Sequence, residues 1–196
     1  MNILITGFKP FGGQEKNVTE LLLDDFHYEH QEVQMFKIIF PTVFNIINHL
    51  HEAINMANPD IIIHLGEHAK AQAITLEKVA INIDDARIPD NEGKQPIDQQ
   101  IHIKGEPAYF SRLPIRAIEN ALKVADIPVA ISYSAGTYVC NHLFYLSEFL
   151  QGEQKNRILS GFIHLPLVKT QYVSSLFDLD TLKRALTIIL DTCIHY

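Results

Sequence analysis

The chain is poor in cysteine, with only Cys140 and Cys193 among 196 residues. Two thiols so far apart make no disulfide framework, and a reducing, cytoplasmic setting is the simpler reading. Positive charge is also scarce. Sixteen Lys and Arg stand against 23 Asp and Glu, a formal net charge of −7, with no basic cluster. That balance argues against nucleic acid or an anionic membrane as partner. No apolar run approaches the roughly 20 residues that span a bilayer. The opening "MNILITGF" lacks the basic start and long apolar stretch of a secretory leader and reads as a first strand. A soluble, intracellular protein is expected. Apolar residues make up 47% of the chain, enough for one sizeable core, and the length suits one α/β domain over residues 1–196.

Strand-like runs occur at Asn2–Thr6, Val33–Phe40, Asp60–Leu65, Ala71–Asn82, Val129–Ser132 and Ile158–His164. Thr42–Met56, Pro114–Ala125 and Leu179–Ile194 have helical apolar spacing, as does the run after Val139. Such alternation predicts an α/β fold with a largely parallel sheet covered on both faces. Ile83–Pro107 is polar and proline-containing, and a loop of that length is usually functional or mobile.

The stretch "ISYSAGTYVCNHLFYLSEFL" (Ile131–Leu150) puts Cys140 in the first turn of a helix, after a short strand and several small residues. A helix N-terminus offers unpaired N–H groups and a positive dipole end, which favour a thiolate and can hold an oxyanion. Lone cysteines are more often small buried hydrophobes, the reading that fits Cys193. A thiol nucleophile needs a base. His142 lies roughly 200° around the helix from Cys140 and does not face it. His164 ends the strand in "ILSGFIHLP". Ligands bind beyond the C-terminal ends of parallel strands, and the strand before Cys140 is expected to end at that same edge. His164 is therefore the candidate base, with a histidine that merely caps a strand as the alternative. Glu77 is a carboxylate in the apolar "AQAITLEKVAIN" and needs a partner. Adjacent Lys78 should point to the other face, which leaves Glu77 available to orient a histidine.

"GFKPFGG" follows the first strand but carries Gly13-Gln14 where a Walker A loop needs Lys-Ser/Thr, so nucleotide binding is rejected. What remains is a glycine-bounded turn whose Phe8 and Phe11 could sandwich a small flat ring, or simply pack under the loop. "HLGEH" (His64–His68) matches the inverted zinc-protease motif H-x-x-E-H. That chemistry needs a helix, and an apolar strand run broken by Gly66 disfavours one; no metal site is expected.

Four blocks in order, "LITGFKPFGG", "ITLEKVAINIDDARIPDNEGKQPID", "SAGTYVCNHLFY" and "GFIHLP", resemble pyroglutamyl-peptidase I, the cysteine peptidase family that removes N-terminal pyroglutamate. The resemblance covers nearly the whole chain. It implies Cys140, His164 and Glu77 as catalytic residues, and Arg87 near the reacting carbonyl. Phe8, Phe11, Tyr138 and Val139 match positions lining the pyroglutamyl pocket. It further implies a single-domain α/β/α sandwich with an open, twisted, largely parallel mixed sheet, peptides with N-terminal pyroglutamate as partners, no cofactor, a cytoplasmic enzyme and a homotetramer. The chain departs from the family at "GEHAKA", where Glu67 replaces a glutamine beside the pocket. It departs again at Leu76, Lys78 and Tyr138, and at Asn17-Val18 in place of Asn-Pro. A zinc peptidase using "HLGEH" and a non-catalytic binder of pyroglutamyl peptides are the rival readings.

Overall fold

The computed structural model describes residues 1–153 and 158–196. In chain order the elements are β1 (Asn2–Phe8), α1 (Val18–Asp25), β2 (Gln34–Phe40), α2 (Ile47–Ala57), β3 (Ile61–Glu67), β4 (Ile74–Glu77), β5 (Val79–Ile81), β6 (Ala108–Phe110), α3 (Ile115–Val124), β7 (Val129–Ser132), α4 (Val139–Glu153), β8 (Leu159–Leu165) and α5 (Leu179–Ile194). Six strands form one sheet in the order β2-β1-β3-β8-β4-β7. Every neighbouring pair is parallel except β4 with β8. The sheet is thus largely parallel but mixed, as expected.

Alternation along the strands sorts side chains between two layers. Ile3, Ile5, Ile61, Ile63, Ile163 and Leu165 pack with α1, α3 and α5. Leu4, Phe8, Ile62 and Phe162 pack with α2 and α4 on the other face. All seven residues of β3 are buried, as suits a central strand covered on both sides. α5 buries Leu182, Ala185, Leu186, Ile189 and Leu190 at helical spacing, and Asp178 caps its start by accepting from Thr181 N–H. Among the described residues no helix is long and apolar enough to cross a membrane.

Some boundaries differ from the sequence expectation. The run Ala71–Asn82 is two strands: β4 lies in the main sheet, while β5 pairs antiparallel with β6 in a separate ribbon. Lys78 joins them, donating its N–H to Ser132 while its carbonyl accepts from Ser111. α2 starts at Ile47, not Thr42, because Asp90 takes the Phe44 N–H and Pro41 takes that of Val43. The eight-residue α1 and three-residue β6 were too short to stand out by periodicity.

The long segment after β5 is irregular, as predicted, but fastened at many points. Asp84 and Gln99 exchange backbone bonds at its neck. Thr137 Oγ1 donates to Asp85 O, and Tyr138 OH donates to Pro89 O. Asn91 Nδ2 donates to Pro10 O at the glycine loop.

Candidate active site

His164 stands two residues after Phe162 on β8, so both side chains point to the α2/α4 face. Gly66 of β3 is its register partner. A Cβ there would lie 3.0 Å from His164 Cδ2 and 2.7 Å from the Phe162 ring, so only glycine lets both rings lie flat against β3. On the other side, β4 places Glu77 opposite Phe162, one diagonal step from His164. The 2.7 Å bond between Glu77 Oε1 and His164 Nδ1 spans that diagonal, with both residues buried. Lys78 turns away, its ammonium 5.9 Å from the centre of the Phe110 ring.

Cys140 stands in the first turn of α4, near enough to His164 for its sulfur to act on the imidazole. Burial works against charge on His164, but the Cys140 sulfur and then the Glu77 carboxylate outweigh it and raise the imidazole to about 9. The first helical bond of α4, His142 N–H to Tyr138 O at 3.1 Å, leaves the N–H groups of Val139, Cys140 and Asn141 outside the ladder. A thiol, an imidazole held by a carboxylate and a set of N–H groups outside the helical ladder therefore lie together.

The sequence argument reached this pair by a geometry the fold does not use. β4 and β7 run opposite to β8, so β7 ends at the far edge of the sheet from β8. The connection between Ser132 and Val139 returns the chain to His164. Ser132 and Ser134 fold it with local hydroxyl bonds, and Gly136 supplies a φ of 79°.

The ring facing Phe11 is that of Tyr138, at 5.9 Å and 40°. Phe44 meets Tyr138 edge-on at 5.5 Å. Phe8 lies beneath, in the core against Phe162, whose ring is 4.9 Å from His164. Val139 is fully buried. Arg87 is exposed, between Asp85 and Pro89, whose carbonyls are held by Thr137 and Tyr138. Glu67 turns to the opposite face of β3, where its Oε2 accepts from Val18 N–H at 2.8 Å and Gln171 Nε2 at 2.9 Å. It thus places a carboxylate on the N-terminus of α1, next to the capping Asn17. The residue after Asn17 has an N–H to offer because it is valine and not proline.

The metal reading of "HLGEH" does not survive this geometry. His64 and Glu67 lie on an extended strand and point to opposite faces. His64 is fully buried, its Nδ1 2.7 Å from Thr6 Oγ1, and burial pushes its pKa down to about 3. Among the described residues no three His, Cys, Asp or Glu groups are arranged to hold a metal ion.

Sequence reasoning missed the residues that fasten the cysteine helix. Asn141 Oδ1 accepts from Ile81 N–H, and its Nδ2 donates to Ile81 O and Ile83 O. His142 Nδ1 is 2.7 Å from Asp84 Oδ2. His68, half of the rejected zinc motif, sits with its ring 5.7 Å from that of His164. No local pattern signals such contacts, although a polar residue flanking a candidate nucleophile invites the question of what it holds.

A family model described as pyroglutamyl peptidase matches residues 1–195. The pyrrolidone-carboxylate peptidase of Clostridium perfringens is 43% identical over 175 residues, covering 89% of this chain and 82% of that protein. The pyrrolidone-carboxylate peptidase of Brachyspira hyodysenteriae is 39% identical over 200 residues, covering 100% of each. The crystal structure of pyroglutamyl peptidase I from Bacillus amyloliquefaciens superposes with a TM-score of 0.93 at 39% identity, over 99% of this chain and 95% of that one. With a matched model over almost its entire length, the chain belongs to the pyroglutamyl peptidase family.

Proposed function

We propose that Cys140, His164 and Glu77 are the groups through which this cysteine peptidase removes N-terminal pyroglutamate. The observation that carries the assignment is the buried pair in which Glu77 Oε1 holds His164 Nδ1 at 2.7 Å, with the Cys140 sulfur near enough to raise the imidazole. The Cys140 thiolate attacks the pyroglutamyl carbonyl, and the N–H groups at the start of α4 receive the oxyanion. His164 passes its proton to the leaving amine, and the C–N bond breaks. Water, deprotonated by His164, then hydrolyses the thioester to free pyroglutamate and returns the thiol. Glu77 keeps the imidazole in the tautomer and orientation this cycle needs.

Phe11 and Tyr138 are the proposed apolar walls for the lactam ring, with Val139 and Phe8 in the core cluster against which Tyr138 packs. The substrate's blocked amine carries no charge, so an apolar wall costs it little, while an ordinary ammonium would be buried unpaired. Arg87 is the proposed neighbour of the reacting carbonyl, and Glu67 a positioning residue that ties the glycine loop to β3. The whole chain acts as one catalytic domain, without metal or cofactor, in the cytoplasm and as a homotetramer. Sedimentation measures the last of these.

The deciding experiment is turnover of pyroglutamyl-7-amido-4-methylcoumarin and of pyroglutamyl-Ala beside Ala-Ala. Release from the two pyroglutamyl substrates, lost in Cys140→Ala and unaffected by EDTA, is expected. Equal cleavage of Ala-Ala, or activity that survives Cys140→Ala and fails on chelation, overturns the assignment. Binding of the substrates without turnover would favour the non-catalytic reading instead.

A further inference from the structure

His68 continues the β3–β8 ladder one residue past the strand, donating its N–H to Leu165 O at 2.9 Å. Alternation returns its side chain to the face that carries Gly66 and the His164 ring. The two imidazoles lie 5.7 Å apart and tilted by 59°. His164 is 7% exposed, whereas His68 is in the exposed class, so His68 forms the solvent-side wall of the buried imidazole.

A leaving nitrogen must come within about 3 Å of the His164 edge that protonates it. The residue bearing that nitrogen therefore passes within side-chain reach of His68. From Ala69, the residue after His68, a cavity of about 380 Å³ opens that is lined also by Lys70, Gln72, Tyr172, Ser174 and Ser175. Lys70 is exposed, and no carboxylate belongs to that lining among the described residues.

We propose that His68 and Lys70 form a receptor for a carboxylate one residue beyond the scissile amide, so that the protein favours pyroglutamyl substrates with negative charge at that position. The proposal rests on the peptidase reading above and adds the chemistry of the leaving half. Two sources supply such a carboxylate: an acidic side chain, or the free C-terminus of a dipeptide. Burial, then His164 on β8, lower the pKa of His68; Glu77 on β4 opposes them and Lys70 adds to them. At neutral pH His68 therefore serves as an N–H donor, and Lys70 supplies the charge.

The test compares kcat/KM for pyroglutamyl-Ala, pyroglutamyl-Ala-amide and pyroglutamyl-Glu-amide at low salt, read as free pyroglutamate. Wild type, His68→Ala and Lys70→Ala are compared. In wild type, at least one carboxylate-bearing substrate should exceed the neutral amide by about fivefold, the size expected of exposed charge pairing. Preference for the dipeptide alone identifies the C-terminus, and preference for the Glu amide alone identifies the side chain. Lys70→Ala should bring the ratio close to one, and His68→Ala should reduce it. Equal values for the three substrates in wild type, or a ratio unchanged in both variants, overturns the proposal while leaving the peptidase reading intact. No release from any of them overturns both.

Discussion

Asp84 Oδ2 holds the imidazole of His142 at 2.7 Å, the same distance at which Glu77 holds that of His164. Two buried histidine–carboxylate pairs are thus present, one on α4 itself through His142 and one on β8 that the Cys140 sulfur influences. The former joins the first turn of α4 to the neck of the long segment after β5.

The two pairs should therefore respond differently to mutation. His164→Ala should lower kcat on the coumarylamide by about 10²–10⁴-fold, the usual contribution of a general acid–base. His142→Gln, which can still hydrogen-bond Asp84, should stay within about tenfold of wild type. Steady-state kinetics with circular dichroism as a folding control checks both, and the reverse order would exchange their roles.

Thiol chemistry should be confined to one cysteine. Iodoacetamide should inactivate the enzyme with alkylation at Cys140 and little at Cys193, as peptide mass mapping would read. Cys193 is 3% exposed, and burial pushes its thiol up to about 12, so it offers almost no thiolate. Inactivation that tracks modification of Cys193 would refute this.

His164 gives a pH dependence with a definite sign. Its imidazole is raised from the ordinary 6.5 to about 9, so the stability it contributes is whole below pH 6.5 and is lost as pH rises through about 9. Denaturant midpoints across that range should fall less in Cys140→Ala, which removes the leading group that raises the imidazole. In that variant the His164 ring resonance should titrate at lower pH than in wild type.

Glu67→Gln should cost stability more than activity. The amide oxygen can still accept from Val18 N–H, but the charge on the helix N-terminus is gone, worth about 0.3–1 kcal/mol. A drop in kcat/KM of tenfold or more without a change in thermal midpoint would mean that the carboxylate acts on the substrate directly.

Glu148 on α4 predicts a stabilising substitution away from the active site. It is 1% exposed and bonded to Ser160 Oγ at 2.7 Å, and burial raises its carboxyl to about 8 despite Arg112 at 3.3 Å. A carboxyl raised in the folded state binds its proton on folding, so stability declines as pH rises between its ordinary range and about 8. Glu148→Gln should therefore unfold at a higher temperature than wild type at pH 8.5, with the gap closing at pH 5. A lower midpoint at pH 8.5 would show that the Arg112 pairing dominates.

The layered α/β plan is legible in the sequence because it rests on local pattern, whereas Glu77, Cys140 and His164 are marked as candidates more by the family resemblance than by pattern. A strand pattern shows which face a residue takes, and the apolar surroundings of Glu77 demand a partner. The pattern does not show strand direction. β7 reads like a parallel strand that ends beside β8, although it runs the other way. Nor does alternation mark the point where a strand changes sheets, so the break at Lys78 is invisible in "ITLEKVAIN". Glu67 was read as a pocket residue because its partner, Val18, is 49 positions away and contacts at that separation leave no trace in a window of ten.

The insertion of β4 between β8 and β7 has a kinetic consequence. Glu77 on β4 and His164 on β8 are 87 residues apart and meet only when β4 docks antiparallel against β8. Closing a contact of that span before it is rewarded is slow. During refolding, helix content and the β1–β3 pairing can return while the chain is still inert. Recovery of turnover should coincide with the slowest phase, which makes enzymatic activity a clock for the final step of assembly.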